Sequence, residues 1–239
     1  MKAVILVGGL GRRLRPLTFS IPKPLLPIGE RPLLQIVIEQ LRGFGVREIV
    51  LATGYHAELI HAFCEDGRKF GVEISYVHEP EPLGTAGPLS LIRDLLPDGE
   101  HFILMNGDVL TQLDFGEMVA FSRDGDFDLT TAYTIYRYES PFGVLSIDGD
   151  RVRGIVEKPT TEYFISAGIY VLTRDAVDLV PDGTFFTMPD LMSALLADGR
   201  EVGAFRIDDF WIGLETIARF DEAMQLLDSA SGELGYTPG

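Results

Sequence analysis

The residues best suited to chemistry lie close together near the start of the chain. Gly8, Gly9 and Gly11 stand in the run Gly8-Gly9-Leu10-Gly11-Arg12-Arg13-Leu14. Closely spaced glycines let backbone N–H groups turn toward an anion, and two arginines add charge, so this run predicts a phosphate cradle. Two familiar cradles fail on detail. A P-loop needs a Lys-Ser or Lys-Thr pair after its second glycine, and a dinucleotide fingerprint needs glycine where Leu14 stands. Leu14 therefore argues against a nicotinamide oxidoreductase. Lys23 follows between Pro22 and Pro24. The two prolines restrict the backbone and hold a cation on a stiff loop near the glycines.

The elements that must carry these residues are legible from hydrophobic pattern. Ala3–Val7 reads as a buried strand that runs directly into the glycines. Leu34, Val37, Ile38, Leu41 and Phe44 recur at helical spacing, and Gly45 ends that helix. Further strands are predicted at Glu48–Thr53, Glu73–Val77 and His101–Met105, with helices at His56–Glu65 and Thr85–Leu96 between them. Alternating strands and helices imply right-handed crossovers and a mainly parallel sheet. Strand-like runs then crowd together at Leu129–Ile135, Gly143–Ile147, Val152–Val156 and Gly168–Leu172, with a hairpin turn at Asp148-Gly149-Asp150. Helices return near Met188–Leu196 and Ile217–Leu227. The expected fold is α/β: a mainly parallel mixed sheet flanked by helices, whose second half closes over one end of the sheet. One domain is expected over residues 1–228, with a flexible tail over 229–239 that is rich in Ser, Gly and Pro.

Composition narrows the function. The 239 residues carry 36 acidic and 20 basic side chains, a formal net charge of −16. That balance argues against nucleic acid and against anionic membranes. The first apolar run is too short for a signal-peptide core, and no run approaches the ~18 residues a membrane span needs. A cytoplasmic protein is the expectation. Cys64 is the only cysteine, so no internal disulfide is possible, and a packed thiol is expected. The four histidines are scattered without metal-ligand spacing.

Gly8-Gly9-x-Gly11-x-Arg13-Leu14-x-Pro16-Leu17-Thr18 followed by Pro22-Lys23-Pro24-Leu25 resembles the signature of the sugar-1-phosphate nucleotidylyltransferases. The run Glu81-Pro82-Leu83-Gly84-Thr85-Ala86-Gly87-Pro88-Leu89 is similar to the mannose-1-phosphate guanylyltransferase branch. Asn106-Gly107-Asp108, Phe142-Gly143-Val144, Glu157-Lys158-Pro159 and Ala167-Gly168-Ile169-Tyr170 follow in the family's order. The resemblance covers nearly the whole chain. It implies a Rossmann-like, GT-A-like nucleotidyltransferase fold filling the chain, with no room for the C-terminal left-handed β-helix of some relatives.

It also implies a reaction: a sugar 1-phosphate attacks the α-phosphorus of a nucleoside triphosphate and pyrophosphate leaves. Gly8, Gly9, Gly11 and Gly84 would hold the nucleotide. Arg13 would neutralise the departing pyrophosphate, and Lys23 the α-phosphate. Glu79 or Glu81 would read a guanine base through its N1–H and N2–H₂ donors. Asp108, at the carboxyl end of a strand, would hold Mg²⁺. Gly143, Glu157 and Lys158 would serve the sugar phosphate, of mannose or heptose type. GTP is the favoured donor, with uridylyl or thymidylyl transfer as the competing chemistry; a homo-oligomer is compatible with all of these. Three departures stand out. Arg12 replaces the family's usual Thr, Ser166 its Asn, and Gly213 its second metal-binding Asp. Gly213 has no ligand to offer, so Asp208, Asp209 or Glu215 would substitute, with Asp209 the leading candidate. Without a substitute, the competing class is a regulator that binds a nucleotide sugar without turning it over.

Overall fold

The computed structural model describes residues 1–229. The tail expected to be flexible lies, beyond Ser229, outside the described residues. Strands β1 (Lys2–Leu6), β2 (Pro27–Ile28), β3 (Arg31–Pro32), β4 (Glu48–Thr53), β5 (Glu73–His78), β6 (Phe102–Asn106) and β7 (Val109–Thr111) make up the first half, with helices α1 (Leu33–Gly43) and α2 (Ala57–Cys64). After α3 (Phe115–Asp124) come β8 (Leu129–Glu139), β9 (Val144–Asp148), β10 (Arg151–Val156) and β11 (Thr160–Leu172). Then α4 (Arg174–Val177), α5 (Met188–Ala197), β12 (Val202–Arg206), β13 (Trp211–Gly213) and α6 (Ile217–Ser229) complete the described chain.

Seven strands form one sheet in the order β12-β8-β11-β6-β1-β4-β5. All run parallel except β11, which is antiparallel to both β6 and β8. The expected mainly parallel mixed sheet is therefore present. Parallel strands are covered on both faces, which is why β1, β4 and β6 read as unbroken apolar runs. Their side chains alternate between two cores. Ile5, Leu51 and Met105 face one layer with α1, α2 and α3. Val4, Val50 and Leu104 face the other, with α5 and the segment from Ala86 to Leu96.

Several details depart from the pattern reading. Thr85–Leu96 is not an α-helix but two 3₁₀ turns, Gly87–Leu91 and Arg93–Leu95. The N–H groups of Ala86 and Gly87 both donate to the Phe186 carbonyl at 2.9 Å, so the start of the segment is tied to the loop before α5, while its own bonds run from N–H groups to carbonyls three residues back. Helix α3 and strand β12 were not anticipated. The second half does not close over an end of the sheet; β11, β8 and β12 extend it beyond β6. The outer parts of β8 and β11 run on as a ribbon, with a register shift between Ser166 and Tyr170. Strands β9 and β10 pair only with each other. Among the described residues no helix is long and apolar enough to cross a membrane.

Candidate active site

The sheet order contains a reversal. From β1 the chain moves outward to β4 and β5, then returns to place β6 on the other side of β1. Crevices at such switch points, outside the carboxyl ends of the strands, are where open α/β sheets bind ligands. A cleft of about 510 Å³ lies there. Eight of the predicted residues line it: Gly8, Gly9, Gly11 and Arg13 after β1, Lys23 from the proline loop, Glu79 and Gly84 after β5, and Asp108 after β6.

The glycine loop is shaped by two close approaches. Gly11 has φ +56°, and a Cβ there would lie 2.9 Å from Cγ2 of the buried Thr18. The Thr18 hydroxyl donates to the Gly11 carbonyl at 2.8 Å, and the Leu14 N–H donates to the same oxygen at 2.9 Å. Leu14 is fully buried, so it anchors the loop where a dinucleotide fold would use glycine. At Gly8 a Cβ would meet Glu79 Oε1 at 2.7 Å and the Gly54 nitrogen at 3.2 Å. The loops after β1, β4 and β5 thus converge to contact. Gly54, which belongs to no sequence motif, is the third member of that junction.

Lys23 begins a short 3₁₀ turn fixed by the Leu26 N–H donating to its carbonyl at 3.1 Å. Its ammonium donates to Asp108 Oδ2 in a close ion pair. The side chains are 12% and 29% exposed, so the pair is largely withdrawn from solvent inside the cleft. Glu79 Oε2 accepts the Leu83 N–H at 3.1 Å. Burial raises the Glu79 carboxyl above its ordinary range, against the opposing effects of that hydrogen bond and of His78. Glu81 is exposed and is not among the cleft residues, so of the two candidate base readers only Glu79 faces the site.

The remaining predicted residues lie elsewhere. Gly143, Glu157 and Lys158 flank the β9–β10 hairpin and do not line the cleft. They do belong together: a Cβ on Gly143 would lie 3.0 Å from Glu157 Oε2. Lys158 takes φ +44°, unusual for a non-glycine residue. Asp209 is exposed and outside the cleft, and Asp208 is paired with Arg206 at 2.7 Å. The cleft instead contains Glu215. It also contains Thr85, Asn106 and Phe185, of which Phe185 left no readable signal in the sequence.

Among the described residues no group of three or more His, Cys, Asp and Glu side chains could by itself hold a metal ion. Mg²⁺ needs no such cage, because it is commonly held by one or two carboxylates together with substrate phosphates. Asp108, an oxygen ligand facing a phosphate-shaped loop, fits that mode.

A sequence-family model described as nucleotidyl transferase matches residues 2–229. The chain belongs to the nucleotidyl transferase family. The resemblance carried by the glycine loop and the Lys23 loop is thereby borne out. The chain is 42% identical over 221 residues to a protein from Oryza sativa named probable mannose-1-phosphate guanylyltransferase 1, covering 90% of this chain and 61% of that protein. It is 36% identical over 217 residues to the mannose-1-phosphate guanylyltransferase catalytic subunit beta of Dictyostelium discoideum, covering 89% and 60%. The chain thus spans about three fifths of the length of these curated relatives. Among solved structures, HddC from Yersinia pseudotuberculosis complexed with GMP-PN aligns with TM-score 0.72 at 28% identity, covering 94% of this chain and 98% of that one. A UDP-glucose pyrophosphorylase from Acinetobacter baumanii aligns with TM-score 0.73 at 20% identity, covering 98% and 95%, and supports the fold alone.

Proposed function

We propose that the transferase joins a nucleoside triphosphate, GTP first, to a mannose- or heptose-type sugar 1-phosphate, giving a nucleotide sugar and pyrophosphate. The observation that carries this reading is the convergence of the glycine loop, Arg13, Lys23 and Asp108 on one cleft at the switch point of the sheet. The preference for guanine and mannose rests on the names of the relatives, which match at 36% and 42% identity. A cytoplasmic setting belongs to the same reading, because both substrates are charged phosphate esters.

In this reading a phosphate oxygen of the sugar 1-phosphate forms a bond to the α-phosphorus, and the bond to the pyrophosphate oxygen breaks. The attacking phosphate is already anionic, so positioning and charge stabilisation outweigh proton transfer. Backbone N–H groups at Gly8, Gly9 and Gly11 hold the triphosphate, with Gly84 beside the nucleotide. Arg13 neutralises the departing pyrophosphate. Lys23, paired with Asp108 in the free chain, takes up the charge growing around the α-phosphorus, and Asp108 would be the residue that holds Mg²⁺. Bound Mg²⁺ supplies charge neutralisation for the phosphate oxygens. Glu79 accepts from the guanine edge with the capacity left beside its bond to Leu83. Glu157 accepts from sugar hydroxyls and Lys158 pairs with the sugar phosphate.

The test is a grid of nucleoside triphosphates against sugar 1-phosphates, read by pyrophosphate release. Release that is fastest with GTP and mannose or heptose 1-phosphate supports the reading. Preference for UTP or dTTP moves it to the competing donors, and no release with any pair leaves a binding protein.

A further inference from the structure

Glu215 is the cleft carboxylate that no interaction among the described residues explains. It lines the same cleft as Asp108 and the glycine loop. Among the described residues its carboxylate has neither a hydrogen-bond partner nor an ion-pair partner, although it is partly withdrawn from solvent. Its side chain does not extend away into water. It turns back over Gly213, so that a Cβ at that position would lie 2.3 Å from Glu215 Oε1 and 3.0 Å from its Cδ. Gly213 sits in β13 opposite Val109, and the Leu214 N–H donates to the Asp108 carbonyl at 2.9 Å. The β7–β13 ladder therefore brings the Glu215 segment alongside Asp108.

The backbone of Gly213 gives no reason for a glycine. It is a strand residue without a positive φ. Glycine in a strand is disfavoured and usually marks a close approach by another group. Here the approaching group is the Glu215 carboxylate itself. Its charge has a further implication. A third cleft carboxylate beside Glu79 and Asp108, with no ion-pair partner among the described residues, repels a polyphosphate in that cleft unless a cation stands between them.

We propose that Glu215 is a ligand of the divalent cation alongside Asp108, and that Gly213 is glycine so that the Glu215 carboxylate can occupy the space of a side chain there. This rests on the nucleotidyl-transfer reading for the cation's purpose but not for its detection. Trp211, the only tryptophan, lies in the same strand two residues from Gly213, so paramagnetic Mn²⁺ bound at this site should quench its fluorescence. Mn²⁺ alone is titrated against the full chain and read by that quenching, with no turnover involved.

Wild type should show saturable quenching. Glu215→Gln, nearly isosteric, should weaken Mn²⁺ at least about tenfold, because even the outer partners of a metal site are worth about 10–100-fold in affinity. Gly213→Ala should weaken it comparably, since its Cβ expels the carboxylate without removing it. Gly213→Asp in the Glu215→Gln background should recover most of the affinity, and Asp209→Asn should stay within twofold of wild type. Far-UV circular dichroism verifies that each variant is folded. The proposal is overturned if wild type shows no saturable quenching, if Glu215→Gln binds as wild type does, or if Asp209→Asn is the variant that loses Mn²⁺. Loss of Mn²⁺ in Glu215→Gln from a chain that releases no pyrophosphate with any substrate pair would uphold the cation site and refute the transfer reading.

Discussion

Lys23→Ala tests the catalytic core most directly, because Lys23 is tied to both charge and architecture. Its ammonium is the only partner of the Asp108 carboxylate among the described residues, in a cleft where the two side chains are 12% and 29% exposed. Truncation leaves Asp108 without a donor. An unsatisfied buried polar group costs about 1–3 kcal/mol, and the residual exposure of Asp108 puts this case near the lower end. For a chain of this size about 1 kcal/mol corresponds to a Tm loss of about 2–4 °C. Catalysis should suffer much more. A single preorganised electrostatic donor is worth about 10²–10³-fold in kcat, or ~2.7–4 kcal/mol, while the triphosphate KM should change only modestly. Combining Lys23→Ala with Asp108→Asn separates the two effects. The neutral amide removes the orphaned charge, so Tm should recover toward wild type, but activity should stay as low as in the single variant or lower. Pyrophosphate release under saturating substrates gives kcat, and thermal unfolding gives Tm. A kcat for Lys23→Ala within about threefold of wild type would remove Lys23 from the transition state and refute the argument.

Other perturbations address the remaining parts of the site. Glu157→Ala should raise the sugar-phosphate KM and leave the triphosphate KM nearly unchanged, since hydrogen bonds to a charged acceptor are worth about 1.5–3 kcal/mol each; a larger shift in the triphosphate KM would reverse the two half-sites. Burial raises the Glu79 carboxyl in the folded state above its ordinary value of 4.5, so the folded chain binds that proton at pH values where the unfolded chain has lost it. Stability therefore falls as pH rises from 4.5 through the raised value. Glu79→Gln should accordingly raise Tm at pH 7, lose that advantage in acid, and weaken the preference for GTP over ATP; a lower Tm at pH 7 would contradict the assignment. Cys64 is fully buried, and burial pushes its thiol up to about 12, against the opposing pull of Lys69. It should resist an aromatic disulfide reagent at pH 8 until denaturant is added; rapid labelling of the native chain would show that α2 opens readily.

What was legible in the sequence was legible for physical reasons. Strands β1, β4 and β6 are covered on both faces, so their apolar runs were unbroken and easily found. The glycine and Lys23 segments are legible together because a phosphate cradle demands particular residue types at short spacing, whereas Asp108 is legible only through the family resemblance and its place at the end of a strand. Helix α3 was missed although Asp114 caps it by accepting the Glu117 N–H at 2.9 Å, a pattern visible as Asp-x-x-Glu. The helix expected at Thr85–Leu96 is instead tightened into 3₁₀ turns, in which the Leu89 N–H donates to Ala86 and the Leu95 N–H to Ile92, a change of bonding pattern that apolar spacing does not reveal. Strand β11 was found only at its buried end, Gly168–Leu172. Its outer half, with Tyr163 52% and Phe164 73% exposed, lacks the burial that makes a strand readable. The sequence favours Asp209 over Asp208 and Glu215, whereas the cleft contains Glu215 and not Asp209, because no pattern shows a side chain folding back over a glycine two residues away.

The β9–β10 hairpin divides the molecule into parts of unequal local stability. Its strands bond only to each other, and Ile147 and Ile155 are about two thirds exposed, whereas the strands that carry the glycine loop sit between two apolar layers. Amide hydrogens of β9 and β10 should therefore exchange with solvent through partial openings, while those of β1, β4 and β6 wait for global unfolding. Gly143, Glu157 and Lys158 lie on the side that opens first. A sugar phosphate engaging them would close an equilibrium that the triphosphate does not sense. Mild denaturant should then erode acceptor binding well before donor binding.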